Sequence, residues 1–113
     1  MRQENLFDTN TAKVSDERIV LYALGEFQAR GKVLAERDLP LDRLRGALRR
    51  AADTFGVEMP SDEQFVAALV RIGARVRRVP SFVAKHPFRV IAPPETAARA
   101  CAFHQEFTAA SRT

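Results

Sequence analysis

The sequence has one cysteine, Cys101, so no intramolecular disulfide can form, and the expected home is a reducing compartment, the cytoplasm. No apolar run approaches the ~18 residues of a membrane span. The opening Met1-Arg2-Gln3-Glu4-Asn5 is polar and lacks a signal-peptide core, so neither secretion nor membrane insertion is expected. The five glycines stand apart from one another, which excludes a glycine-rich phosphate loop. Metal ligands are equally sparse. Cys101, His104 and His86 are three scattered candidates, where a structural zinc site takes four closely paired ones. Cys101 and His104, three apart, offer a nucleophile near a base, but beside Ala100 and Phe103 the cysteine reads better as a small apolar residue. No enzyme activity, metal or cofactor is expected. Internal repeats and low-complexity tracts are also missing.

What remains is the composition of one ordinary globular domain. Of 113 residues, 46% are apolar and 28% charged. A chain of this length buries roughly two-thirds of the surface it would expose unfolded, and it needs no cross-link to hold its core.

One further absence is local. Between Glu63 and Glu95 there is no acidic residue, while Arg71, Arg75, Arg77, Arg78, Lys85 and Arg89 all fall there. The segment carries +6 and the remainder −2, for a net of +4. A basic segment on a near-neutral body is the electrostatic footprint of a nucleic-acid binder, and a solvated charged face is the other reading. Arginine outnumbers lysine fifteen to three, and the planar guanidinium suits phosphate oxygens and guanine edges.

Periodicity divides the chain. Residues 1–14 lack a sustained pattern and read as a disordered tail. Ser15 or Asp16 caps a first helix to about Arg30, whose apolar face is Ile19, Val20, Ala23, Leu24 and Phe27, with Gly31 as its stop. Lys32–Arg37 reads as one short strand. Pro40 suits the first turn of a second helix, with the stripe Leu41, Leu44, Leu48, Ala51 and Phe55 ended by Gly56. Gly46 inside it suggests the close approach of another helix. Glu36, Asp38 and Asp42 read as a solvated, helix-capping cluster.

The third helix has the clearest start. Ser61-Asp62-Glu63-Gln64 fits a capping box, Phe65, Val66, Leu69 and Ile72 form the buried face, and Gly73 ends the helix. Ala74–Val79 and Phe88–Ala92 read as two strands, with a bulge expected at Arg77-Arg78 and the loop 80–87 between them. Pro93-Pro94 opens a last helix, about Glu95 to Ala110, with Ala100, Phe103 and Phe107 on one face.

This order of elements, carried by the capped helix 61–72, its Gly73 stop and the two strands around a basic loop, resembles the winged helix-turn-helix superfamily over residues 16–92. The resemblance implies an α+β, mostly helical fold: a winged-helix domain over 15–93, with an appended C-terminal helix over 94–113. It also implies binding to double-stranded DNA in transcription regulation or DNA replication and maintenance. The third helix (62–72) would face the bases with Gln64, Ala67, Ala68 and Arg71. The wing (74–92) would meet the backbone with Arg75, Arg77, Arg78, Lys85, His86 and Arg89. Winged helices also serve as protein-docking modules, and that is the alternative function.

In the tail, Gln3-Glu4-Asn5-Leu6-Phe7 resembles the short peptide by which bacterial replication and repair proteins hold the sliding clamp. That resemblance implies a hydrogen-bonded Gln3, with Leu6 and Phe7 as apolar anchors. The same pair could instead pack back onto the domain. Phe103 and Phe107 similarly admit two uses: covering the domain's own core beside the first helix, or joining a homodimer.

Overall fold

The computed structural model describes residues 15–80 and 88–112. The tail with Gln3, Leu6 and Phe7, and the loop with Lys85 and His86, lie outside the described residues. The architecture is α+β and mostly helical: α1 (Asp16–Ala29), β1 (Leu39–Pro40), α2 (Leu41–Phe55), α3 (Asp62–Arg71), β2 (Arg75–Arg78), β3 (Phe88–Ile91) and α4 (Pro94–Arg112). No helix among the described residues is long and apolar enough to cross a membrane.

Each helix start follows from local chemistry. The Ser15 hydroxyl accepts the Arg18 N–H at 3.3 Å, and Asp16 and Glu17 complement the positive end of the α1 dipole. At α3 the capping box is complete. The Ser61 hydroxyl accepts the Gln64 N–H at 3.2 Å, and the Gln64 side-chain oxygen accepts the Ser61 N–H at 2.8 Å. Pro40 stands at the N-cap of α2, one residue before the helix, in extended backbone. Gly56 and Gly73 close α2 and α3 with φ of +69° and +105°, a conformation that costs glycine least.

The core forms where the helical stripes converge. Val20 and Leu24 of α1, Leu44 and Leu48 of α2 and Phe65 and Leu69 of α3 are all fully buried. The close helix approach occurs at Gly25 of α1, not at Gly46. A Cβ on Gly25 would lie 2.4 Å from both the Ala100 carbonyl oxygen and His104 Cβ of α4. Gly46 is exposed, and a Cβ there would meet only the Arg50 guanidinium at 3.6 Å. The two glycines look alike in sequence because each interrupts a helix, and only the packing separates them.

Through this contact α4 lies along α1. Phe107 stacks edge-on against Tyr22 (5.3 Å between ring centroids) and lies 4.9 Å from Phe55, while the Arg18 guanidinium sits over Phe103 at 5.6 Å. Phe103 and Phe107 are thus half-buried against their own chain. The start of α4 also completes α3, because the Thr96 hydroxyl and the Arg99 guanidinium both donate to the Ile72 carbonyl.

The sheet is antiparallel, in the order β1-β3-β2. Its first strand is not Lys32–Arg37. Glu36 turns the chain at φ +61°, so that only Ala35 bridges to Ala92, and pairing with β3 waits until Leu39 and Pro40. Proline is tolerated there because β1 is an edge strand. No bulge forms at Arg77-Arg78: Arg75, Val76, Arg77 and Arg78 pair one for one with Ile91, Val90, Arg89 and Phe88. Alternation in that unbroken register turns Leu39, Val76 and Val90 to the core, and Arg75, Arg77, Arg89 and Ile91 to the other side.

Candidate nucleic-acid interface

The unbroken register decides which of the segment's cations meet. Arg77 stands directly opposite Arg89, and Arg75 is two pairs further along on the same face, opposite Ile91. They line a shallow concavity of about 380 Å³ on the outer side of the sheet. Two guanidiniums facing each other across a strand pair repel. Asp38, just before β1, relieves this by accepting from Arg77 at 2.8 Å and from Arg89 at 2.9 Å, and its backbone carbonyl takes a further bond from Arg89 at 3.1 Å. The Arg77 and Arg89 bonds hold the Asp38 carboxyl below its ordinary range. Asp38 is therefore a tie across the sheet face rather than a helix-capping acid. Three guanidiniums and one carboxylate leave this face with a surplus of +2. Arg75 has no carboxylate partner among the described residues.

The remaining predicted contacts lie elsewhere. Arg78 projects to the opposite side of the strand, where its guanidinium sits 5.4 Å from the Phe88 ring centroid. Arg71, at the end of α3, reaches back to Glu17 of α1 at 3.5 Å. Gln64 is exposed but its side chain is held in the capping box. Ala67 is exposed as expected, whereas Ala68 is fully buried and faces the core rather than a ligand. Residue 68 follows Phe65 by three and precedes Ile72 by four, which sets it on the buried stripe. Position 70 takes its place outside: Val70 is 56% exposed.

The chain matches no protein-family model, curated protein or solved structure.

Asp38 gives no sign of its role in the sequence, because its partners are 39 and 51 residues away. A second basic surface is also invisible there. Arg30, Lys32, Arg37 and Arg43 line one cleft, yet Glu36, Asp38 and Asp42 alternate with them along the chain and cancel the count. No group of three or more histidine, cysteine, aspartate or glutamate side chains among the described residues could hold a metal ion. Cys101 is half-buried on α4, in a shallow groove with His104, Gln105, Gly25 and Gln28.

Proposed function

We propose that this chain is a winged-helix domain that binds double-stranded DNA chiefly through its phosphates. The outer sheet face carries the reading: Arg75, Arg77 and Arg89 are presented together on a rigid surface against a single carboxylate. Lysine and arginine beside phosphates release condensed counterions, which supplies most sequence-independent affinity. A backbone oxygen can displace Asp38 from two of these guanidiniums, while Arg75 needs no such exchange. The element order, with helices preceding the antiparallel pair β2 and β3, supports the winged-helix assignment. α3 then lies near the duplex without reading it in detail, since Gln64 serves its own helix cap and Arg71 pairs with Glu17. The binding is accordingly weakly sequence-specific, suited to regulation or to DNA maintenance.

One observation favours the second reading, protein docking. The exposed side of α3 carries Ala67 and Val70 beside the acidic Glu63 and no free cation, which suits a protein partner better than a phosphate backbone.

Fluorescence anisotropy with a random duplex separates the two. DNA binding predicts affinity that falls steeply with salt, and a loss on the order of 100-fold in the triple variant R75A/R77A/R89A at low salt, where each lost phosphate contact also lowers the log–log slope by about 0.9. The melting temperature of the variant stays close to that of the parent, because the three side chains lie outside the core. A flat salt response, or equal affinity of variant and parent, refutes the DNA reading.

A further inference from the structure

The cleft between the end of α1 and the start of α2 lies beyond the interface proposed above. It has a volume of about 280 Å³ and is lined by Phe27, Arg30, Gly31, Lys32, Val33, Arg37, Leu39 and Arg43. Four of these eight are cations: Arg30 at the C-cap of α1, Lys32 and Arg37 in the connection after it, and Arg43 in the first turn of α2. No carboxylate lines the cleft among the described residues. Arg30 gives its Nε–H to Glu26 at 2.8 Å, and Lys32, Arg37 and Arg43 have no carboxylate partner among the described residues.

The backbone is shaped to bring these charges together. Glu36 occupies the left-handed region at φ +61°, which a non-glycine residue adopts only when its surroundings hold it there. The hold is visible: the Glu36 N–H donates to the Ala92 carbonyl at 2.7 Å, and the Arg37 N–H donates to the Leu34 carbonyl at 3.1 Å. The turn leaves Glu36 out of the cleft lining and brings Arg37 into it. Four gathered cations, of which only Arg30 has a carboxylate partner, repel one another and concentrate a positive potential inside a concave wall. Forked guanidiniums at several angles match the oxygens of a phosphate group. The apolar part of the lining has Phe27 and Leu39 as its floor and Val33, 62% exposed, at its rim.

We infer that this cleft is a second, separate phosphate-binding site, taking either a phosphate of the nucleic-acid backbone or the phosphate end of a free phosphorylated ligand. It stands independently of the sheet face, because Asp38 and the arginines it holds do not line it.

The test has two arms. The first is calorimetric titration of inorganic pyrophosphate into R75A/R77A/R89A, in which the sheet face is silenced, and into the same protein with K32A/R37A/R43A added. The second is duplex affinity of K32A/R37A/R43A against the parent. All three cleft substitutions fall on exposed side chains, and unchanged thermal melting confirms that the fold is kept. Saturable pyrophosphate heat that the added triple abolishes supports the site with a free phosphorylated ligand as its source. Weaker duplex binding with a salt slope reduced by about 2 to 3 supports it with the nucleic-acid backbone as the source. Val33→Trp, which narrows the mouth of the cleft without touching its charge, reduces the same signal. If the cleft triple changes neither pyrophosphate nor duplex binding, the inference is overturned, whatever R75A/R77A/R89A does to the duplex.

Discussion

α3, after its first two residues, and strands β2 and β3 fall in the same acid-free segment, yet they spend their side chains differently. On α3, Phe65, Ala68 and Leu69 fill the core, Ser61 and Gln64 satisfy each other's amides, and Arg71 is tied to Glu17. What is left exposed beyond these is the uncharged pair Ala67 and Val70 and one acidic residue, Glu63, with no unpaired cation among them. On the sheet, the core takes Val76 and Val90 and leaves Arg75, Arg77 and Arg89 with only Asp38 between them. Basic residues in a row therefore say little about a surface until folding has claimed its share. Here α3 is mainly a structural element, and the sheet holds the charge that is available to a partner.

The sharpest contrast comes from one substitution on each side. Phe65→Ala empties a fully buried position and is expected to lower stability by about 3–5 kcal/mol, while duplex affinity per folded molecule stays unchanged. Chemical denaturation and anisotropy on the same sample check both halves. The triple variant R75A/R77A/R89A behaves inversely, losing binding and keeping its melting temperature. A large binding defect in folded Phe65→Ala would break the division between the two regions.

Smaller changes sharpen it. Asp38→Asn removes the charge that competes with phosphate for Arg77 and Arg89, so duplex affinity should rise severalfold and become more salt-sensitive. A fall in affinity would mean that Asp38 orders the arginines for binding rather than masking them. Ser61→Ala removes one half of the capping box and should cost about 1 kcal/mol of stability with no effect on binding.

The smallest expected effect is in acid. Burial pushes the Glu26 carboxyl up, but hydrogen bonds from Arg50 (2.7 and 3.0 Å) and Arg30 (2.8 Å) outweigh it and hold the group below its ordinary 4.5. A carboxyl lowered on folding stabilises the fold above its unfolded pKa, and that contribution is lost as pH falls through the folded value. Glu26→Gln should therefore lower stability slightly at neutral pH and flatten the acid limb of the melting-temperature profile below about pH 4.5. An unchanged acid limb would show that the Glu26 pairs contribute nothing.

Much of the fold was legible where the cause was local. The Ser61–Gln64 box, the stops at Gly56 and Gly73 and the apolar stripes of all three leading helices follow from residues within a turn or two of each other. The features that escaped reading depend on distant partners. Gly25 and Gly46 are equivalent until α4 is laid against α1. Leu39-Pro40 is too short and too proline-bound to read as a strand, and it becomes one because Val90 and Arg89 lie beside it. Of the candidate site, Arg75, Arg77 and Arg89 do come together, and their grouping rests on strict alternation across an unbroken pair of strands. The expected bulge would have separated them. Chain position alone points Arg78, Ala68 and Gln64 to the interface, and aromatic contact, burial and capping respectively give each another use.

The most direct test of the central claim is to map duplex contacts by backbone amide chemical-shift changes in the full-length chain at low salt. The account predicts the largest shifts in β2 and β3, centred on Arg75, Arg77 and Arg89, with α3 responding weakly near Ala67. Shifts concentrated along α3 with a silent sheet, or no shifts anywhere with saturating duplex, would contradict it.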